Sequence, residues 1–367
     1  MQKSLLHRIH KSRPILSLAA LAAGAVPAAA LADSPAATLS QILSNSGITE
    51  SGYVAGSYFH STGVNSDHQF DTGHDTFQLD EAGLTLAYQP KSGFGAVVDV
   101  IAGEDAKIVD FAESAGASAN SFDILQGYAQ YVSGPLTVQA GKFTTLAGAE
   151  VIAPTGNTNY SRSLLFYGEP MTHTGLRATY AVNDMVSVIV GVNNGWNYTK
   201  LSGFSSKTGE FGLALAPTKN FSLTAQAYVG RDPVVGAGRT LFDTVATYNV
   251  TSALSLVASF DWGKQAQVAG PDLKWDGLAA YVNYQLNSEW RVSLRGEYFD
   301  DKDGFMTTVP QKIKEGTVTF GYDPVSNFEL RLEARYDSSN APGFVKWSSG
   351  APTDNQTEVA LQSVFKF

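Results

Sequence analysis

The chain has 367 residues, with 25 Lys and Arg against 34 Asp and Glu, a formal net charge of −9 and no cysteine. The lack of thiols excludes a disulfide framework, a thiolate metal site and a cysteine nucleophile, and the acidic balance argues against a nucleic-acid partner. Charged residues make up only 16% of the chain, below the roughly 25% that is usual for soluble domains. This composition favours a sheet protein that faces lipid on one side and water on the other.

The amino terminus has the pattern of an export signal. Four basic residues between positions 3 and 13 precede an apolar run over residues 15–30, and the small residues Ala30 and Ala32 suit a signal peptidase. We therefore predict a signal peptide over residues 1–32, which is cleaved when the chain is exported. A membrane anchor is the alternative interpretation, and Pro27 within an alanine-rich run argues against it.

A short segment, residues 33–50, separates this signal from the rest of the chain. Leu39, Ile42 and Leu43 follow one another at helical spacing, which predicts a small amphipathic helix. A leader segment without fixed structure is the other interpretation that the pattern allows.

Apolar and polar residues alternate with a period of two over residues 51–367. Leu330 and Leu332, for example, alternate with Arg331 and Glu333. Side chains of a strand point alternately to opposite faces, so each segment has one apolar and one polar face. About sixteen such segments of roughly ten to fourteen residues follow one another, which is longer than most soluble strands and long enough to cross a bilayer.

The connections between these segments alternate between tight turns and long polar loops. A turn such as Asn183-Asp184 contrasts with the connections over 104–122, 144–171 and 339–355. Because unpaired backbone groups cannot face hydrocarbon, the sheet has to close on itself. The fold class that we predict is all-β: a transmembrane, antiparallel, up-and-down β-barrel of about sixteen strands with an inward-folded loop.

The second predicted strand changes phase between Leu79 and Leu84. One extra residue in a strand reverses the faces of the side chains that follow it. We therefore predict a β-bulge near Asp80 and Glu81.

The chain ends on an aromatic residue of the last predicted strand. Phe365 and Phe367 share the apolar face of that strand with Val359 and Leu361. This ending resembles the terminal strand that the barrel-assembly machinery recognises, so we predict Phe365 and Phe367 to be the assembly signal. The predicted location is the bacterial outer membrane, where the barrel contacts outer-membrane lipids and lipopolysaccharide.

Three stretches of the sequence carry a resemblance to a known family. They are Gly141-Lys142-Phe143-Thr144-Thr145-Leu146-Ala147-Gly148-Ala149-Glu150-Val151-Ile152, then Asn159-Tyr160-Ser161-Arg162-Ser163 with Glu169-Pro170 and His173-Thr174-Gly175, and the opening Ser46-Gly47-Ile48 with Ser51-Gly52-Tyr53-Val54. At these positions the chain resembles the OmpL-like putative β-barrel porins, whereas the later strands match in general pattern only. The resemblance implies an outer-membrane pore and supplies no catalytic residue.

The connection over 144–171 is the candidate for a constriction inside the barrel. Its apolar residues suit packing on the inner wall, which would leave Glu150, Arg162 and Glu169 to act on passing solutes. The alternation also places seven charged residues on the lumen wall, namely Arg177, Arg291, Arg295, Glu297, Arg331, Glu333 and Arg335. The other interpretation is that these charges pair with one another and hold the loop against the wall.

The function predicted from the sequence is passive diffusion of small hydrophilic solutes and ions, without catalysis and without a cofactor. A non-conducting structural or adhesive barrel is the alternative, and a hydrolase built on His173 with Ser161 or Ser163 is a weaker one. The first long loop holds several histidines near acidic residues, but their spacing matches no compact ligand motif, so no metal site is predicted. The sequence is compatible with a homo-oligomer and does not reveal which solute passes.

Overall fold

Sixteen β-strands close into an antiparallel barrel in which each strand pairs with its neighbours along the chain and the last strand returns to the first. The structure, a computed structural model, describes residues 39–64, 67–200 and 206–367. The predicted signal peptide, residues 1–32, lies outside the described residues. The prediction of a closed sixteen-stranded barrel is confirmed.

The strands are labelled in chain order, and a small hairpin made of β16 and β17 precedes the last barrel strand. The bounds are β1 (Ile48–Ser61), β2 (Thr76–Tyr88), β3 (Gly93–Ala102), β4 (Phe122–Ser133), β5 (Leu136–Thr144), β6 (Thr172–Asn183), β7 (Val186–Asn193), β8 (Thr208–Thr218), β9 (Phe221–Arg231), β10 (Gly238–Asn249), β11 (Leu254–Gln265), β12 (Leu273–Gln285), β13 (Trp290–Asp301), β14 (Gln311–Val325), β15 (Phe328–Ser339), β16 (Phe344–Val345), β17 (Pro352–Thr353) and β18 (Asn355–Lys366).

Helices are few in the described part of the chain. They are α1 (Leu39–Asn45), α2 (Glu104–Glu113), α3 (Leu164–Tyr167) and a 3-10 helix over Pro154–Gly156. Among the described residues, no helix is both long enough and apolar enough to cross a membrane.

Some elements differ from those that the sequence predicts. Helix α2 lies within the connection 104–122, and the β16–β17 hairpin lies within 339–355. Strand β1 begins at Ile48 instead of residue 51, because Ile48 pairs with Tyr88 and the ladder extends beyond the alternating pattern. Pairing with a neighbouring strand decides where a strand begins and ends, and this pairing is not visible in a single sequence.

The phase change in β2 is a β-bulge, as predicted. Ala55 of β1 pairs with Glu81, whereas the next residue, Gly56, pairs with Leu79, so Asp80 is the extra residue of the ladder. As a result, Asp80 and Glu81 are both buried.

The two ends of the barrel meet at a seam between β1 and β18. Gly52 and Phe367 exchange two backbone hydrogen bonds of 2.9 Å. The Phe367 ring covers Gly52 so closely that a Cβ atom on Gly52 would lie 2.4 Å from it. The ring of Phe365 lies 6.3 Å from that of Phe367. Both aromatic residues therefore lie where the barrel closes, and their recognition during assembly stays a prediction.

Candidate functional site: the loop inside the barrel

The connection between β5 and β6, residues 145–171, enters the barrel and is called the inner loop below. Its first residue remains near β9, where Thr145 Oγ1 donates to Tyr228 Oη at 3.2 Å. Its middle crosses the lumen, because the Leu164 N–H group donates to Glu297 at 2.8 Å. Glu297 belongs to β13, which lies opposite β5 in the ring of sixteen strands. The inward folding predicted for this connection is therefore observed.

Four arginines of the wall bind backbone carbonyl groups of the inner loop, and together they are called the arginine clamp. Two of them extend from β13 and two from β15. Their bonds are Arg291 to Thr158 at 2.6 Å, Arg295 to Ser161 at 2.8 Å, Arg331 to Pro154 at 3.0 Å and Arg335 to Arg162 at 2.7 Å. Hydrogen bonds from a charged donor are stronger than neutral ones, so the loop is firmly held by its main chain.

Two glutamates on the same strands accept backbone N–H groups of the inner loop. Glu333 accepts from Tyr160 at 2.7 Å and from Ser161 at 2.9 Å. Glu297 accepts from Leu164 and also from Leu165, at 2.7 Å. The first N–H groups of a helix have no partner within the helix, and the Glu297 carboxylate satisfies two of them at the start of α3.

Each arginine of the clamp also has an acidic partner. The pairs are Arg291 with Glu329, Arg295 with Glu150 at 2.8 Å and with Glu315 at 3.2 Å, Arg331 with Glu329 at 2.9 Å, and Arg335 with Asp337 at 3.0 Å. The side chains of Arg295, Arg331 and Arg335 are at most 1% exposed. Arg295, Arg331 and Arg335 lie on the inner wall under the inner loop, whereas the Arg291 side chain is 12% exposed.

The three loop charges predicted to line the constriction are buried as well. Glu150 pairs with Arg295 and accepts the Ser163 N–H group at 2.7 Å. Arg162 donates to three carbonyl oxygens of its own loop, those of Val151 at 2.9 Å, Tyr160 at 2.7 Å and Ile152. These contacts correct the expectation of an exposed ring of charge. Glu150 faces the charged wall on which the loop lies, in line with the second interpretation that the sequence left open, whereas Arg162 turns into the loop itself.

Glu169 lies against two aspartates of the wall. One carboxylate oxygen of Glu169 and one each of Asp243 on β10 and Asp261 on β11 lie within 4.8 Å of one another. Burial, and then the neighbouring Asp243, raises the pKa of Glu169 well above its usual range. Gly148 permits the close packing, since it has a φ of +82° and a Cβ atom there would lie 2.0 Å from Glu169 Oε2.

The connection between β1 and β2 also binds the inner wall, through a histidine to which the sequence analysis gave no role. His68 is fully buried, with Nδ1 2.6 Å from Asp71 and Nε2 2.9 Å from Asp337 of β15. Burial and Arg335 lower the pKa of His68, but the two carboxylates outweigh them and raise it to about 9. The cationic ring therefore joins this loop to the wall. Nothing in the sequence links position 68 with the distant Asp337.

Arg177, the remaining arginine predicted for the wall, lies on β6 near the start of the inner loop. It pairs with Glu210 of β8 at 2.8 Å and donates to the Thr144 carbonyl oxygen at 3.2 Å. Its guanidinium group lies 4.1 Å from the centre of the Phe143 ring. Arg177 is thus engaged in contacts with the wall, like the arginines of the clamp.

The inward side chains are smaller on β7–β10, toward the short-turn rim. They carry no charge and are called the open wall below. Ser222 is exposed, and the other four, Ser187, Ala214, Thr224 and Thr247, are partly exposed. This surface differs from the covered wall, which is the part of β13, β14, β15 and β18 that lies under the inner loop.

A cavity of about 390 Å³ lies between the inner loop and the wall formed by β3, β4 and β5. Asp99, Gln126 and Thr144 line it from the wall, and Leu146 and Val151 line it from the loop. The Asp99 carboxylate accepts a hydrogen bond from Gln126 at 3.2 Å. The Val151 side chain is 47% exposed. This gap beside the loop is the candidate for the passage.

The residues considered for a hydrolase have other partners. Ser161 Oγ donates to Glu333 at 2.5 Å, and Ser163 Oγ accepts the Phe166 N–H group at 3.2 Å as the cap of α3. The His173 ring stacks on Tyr228, with 4.6 Å between the ring centres. Each of the three side chains therefore makes a structural contact.

Solved outer-membrane proteins share this architecture. OmpT of Vibrio cholerae, described in a trimer form, matches with a TM-score of 0.60 at 12% identity over 87% of this chain and 99% of that chain. The outer-membrane channel DcaP of Acinetobacter baumannii matches with 0.59 at 14% identity over 87% and 97%. An anion-selective porin from Comamonas acidovorans matches with 0.58 at 12% identity over 87% and 99%. At these identities the likeness shows the fold alone.

The family comparison covers most of the chain. A search of curated proteins gives no match. The profile of the family described as putative beta-barrel porin-2, OmpL-like, matches residues 47–367, a span that includes every barrel strand. The chain therefore belongs to this OmpL-like porin family and forms an outer-membrane β-barrel.

Proposed function

We propose that the protein is a porin through which small hydrophilic solutes and ions diffuse passively across the bacterial outer membrane, after export by a cleaved signal peptide over residues 1–32. The observation that carries this proposal is the division of the lumen: the inner loop covers one wall and leaves the open wall and the 390 Å³ cavity beside it. A barrel of sixteen strands is also too wide for side chains alone to fill.

The ion preference of this passage should depend on charged side chains that are not neutralised by an opposite charge beside them. The arginines of the clamp are paired with acids, and the loop fully covers three of the four. Asp99 lines the cavity and is hydrogen bonded to the neutral side chains of Thr85 and Gln126. A single acidic group in a narrow aqueous space favours cations at short range, so we expect a weak preference for cations.

The expected neighbours of the barrel are lipids, lipopolysaccharide and other copies of the chain. Lys312 and Lys314 are exposed on the outward face of β14 near the long-loop rim, where lipopolysaccharide phosphates are the expected partners. OmpT of Vibrio cholerae is described in a trimer form, and we extend oligomer formation to this chain as part of the proposal. The mass of the detergent-solubilised protein tests it.

Two other functions make different predictions. A non-conducting structural or adhesive barrel would show no ion current in a bilayer. A hydrolase would need a base beside a nucleophile, and the contacts of His173, Ser161 and Ser163 offer no support for one.

The decisive experiment places a large side chain in the passage without touching the clamp. Val151→Trp should lower single-channel conductance in planar bilayers and slow sugar uptake in liposome swelling, because residue 151 projects into the cavity. Val268→Trp is the matched control, since Val268 is 79% exposed in the connection between β11 and β12.

Absence of any current from the wild-type protein would support the closed barrel instead. Wild-type conductance in Val151→Trp would show that solutes pass elsewhere, so the passage beside the inner loop would be wrong while conduction itself stood.

A further inference from the structure

Three potential metal ligands meet at the long-loop rim, outside the lumen. His60 lies near the end of β1, and His74 and Asp75 immediately precede β2. The β1–β2 ladder brings them together, since Phe59 pairs with Thr76. Their side chains are 51%, 27% and 49% exposed, respectively, so dissolved ions can reach them.

The donor atoms of these residues already lie near the distances that a metal ion requires. His60 Nδ1 is 2.6 Å from one carboxylate oxygen of Asp75, and His74 Nε2 is 3.2 Å from the other. One donor atom from each of the three residues lies within 4.8 Å of the others. Ligands bound at 2.0–2.1 Å in a tetrahedral zinc site are roughly 3.3 Å apart. Small adjustments would therefore let an ion replace the protons that these groups now share.

Two features hold the ligands in place. Asp75 has a φ of +46°, a conformation that is uncommon for residues other than glycine, costs free energy and persists only where the surroundings impose it. The His74 ring stacks on Trp347, with 5.0 Å between the ring centres. The strained Asp75 carboxylate is thus directed at both histidines, and the His74 ring has little freedom to turn away.

We propose that His60, His74 and Asp75 bind a divalent transition-metal ion, with Zn²⁺ as the best match. Two imidazoles and one carboxylate are typical ligands of Zn²⁺ and Cu²⁺, whereas Mg²⁺ and Ca²⁺ prefer an all-oxygen set. A fourth position would remain for water, because the site is open to solvent. The ion would join β1 to the loop that carries His68.

One neighbouring charge opposes this assignment and makes it testable. Lys346 lines the same surface cavity as His60, His74 and Trp347. A phosphate group would use Lys346 and be repelled by Asp75, whereas a cation would use Asp75 and be repelled by Lys346. The donor distances favour the cation, because the Asp75 carboxylate lies between the two imidazoles.

The experiment measures Zn²⁺ binding to the purified full barrel in detergent, by equilibrium dialysis after removal of bound metal with a chelator. We expect the wild-type protein to bind one Zn²⁺ at this site, and His60→Gln with His74→Gln to lower the affinity at least about tenfold, as loss of metal-site groups typically does. Asp75→Asn should also weaken binding, and asparagine tolerates the positive φ at this position. Cu²⁺ bound to the wild-type protein should show nitrogen couplings in its electron paramagnetic resonance spectrum.

Lys346→Ala is the matched control, and it should leave Zn²⁺ binding unchanged or make it tighter. Equal Zn²⁺ binding by the wild type and the double histidine variant would overturn the proposal, as would no binding by the wild type. Inorganic phosphate that binds better to Asp75→Asn and is lost in Lys346→Ala would identify an anion site instead.

Discussion

On the covered wall the inward side chains are long and charged, whereas on the open wall they are short and uncharged. Arg295, Glu297 and Glu333 reach across to the main chain of the inner loop, but Ser222 and Thr224 leave space beside it. Both walls have the same alternation of outward apolar and inward polar residues. Inward polar side chains therefore serve two purposes in one barrel. Long, charged ones attach the inner loop, and short, uncharged ones leave space beside it.

Loss of a clamp arginine should give the largest effect. Arg295→Met leaves Glu150 and Glu315 buried without their cation, and breaking a buried pair costs about 3–5 kcal/mol. We expect lower resistance to denaturant and a larger, noisier conductance as the inner loop detaches. Lys264→Met is the matched control, because the Lys264–Asp272 pair is exposed and should cost at most about 1 kcal/mol. Unchanged stability and conductance in Arg295→Met would contradict the clamp.

The second effect depends on pH and concerns the loop that His68 holds. The pKa of His68 is raised to about 9, so its stabilisation is fully present below the unfolded value of about 6.5 and is lost as the pH rises through 9. The shift corresponds to roughly 3 kcal/mol. Denaturant unfolding in detergent between pH 6 and 10 should show this loss in the wild type and a smaller one in His68→Gln. If stability fell equally with pH in the wild type and in His68→Gln, the loss would not come from the deprotonation of His68.

A third prediction contrasts the two walls by adding a charge to the open wall, which has none. Thr224→Arg places a cation on the open wall, where the side chain is partly exposed and the directly opposite residues are Ala214 and Val245. We expect a clear shift of the reversal potential toward anions in a salt gradient. Arg331→Gln, which removes a covered arginine, should shift it much less. Equal shifts would show that the inner loop does not cover the clamp.

The smallest effect is expected from Glu169→Gln near neutral pH. Glu169 is buried, and its raised pKa favours the neutral form of its carboxyl group, so glutamine should leave the ion preference at the wild-type value. Stabilisation from the proton is complete below the usual carboxyl pKa and is lost as the pH rises through the raised one. The glutamine variant should therefore lose less stability than the wild type in alkaline buffer. A shift of the ion preference toward anions at neutral pH would instead show that Glu169 is charged and faces the passage.

The strand pattern predicted the barrel well because alternation reports which face each side chain takes. It placed Arg331 and Glu333 inward, and it located the bulge at Asp80 from the change of phase. It could not show what lies over those side chains. That depends on a loop joining two strands on the far side of the ring, and on hydrogen bonds between positions as distant as Ser161 and Glu333.

The meeting of His60, His74 and Asp75 and the contact of His68 with Asp337 could not be predicted from the sequence, for the same reason. His60 and Asp75 lie in different elements that only the register of β1 and β2 brings together. His68 meets Asp337 after the chain has passed around the barrel. A search for short motifs cannot detect either pair. An acidic residue near a histidine in a long loop is also too common to predict a contact by itself.

All four arginines of the clamp bind carbonyl groups of the inner loop, and Arg295 alone of the four also pairs with an acidic side chain of that loop, Glu150, so the attachment depends little on the other side chains that the loop presents. Substitutions at Leu146 or Val151, whose side chains line the cavity, can therefore change its width and polarity while the attachment persists. Residues that shape the cavity and residues that fix the loop are thus largely separate sets, so mutation can change the one without loosening the other.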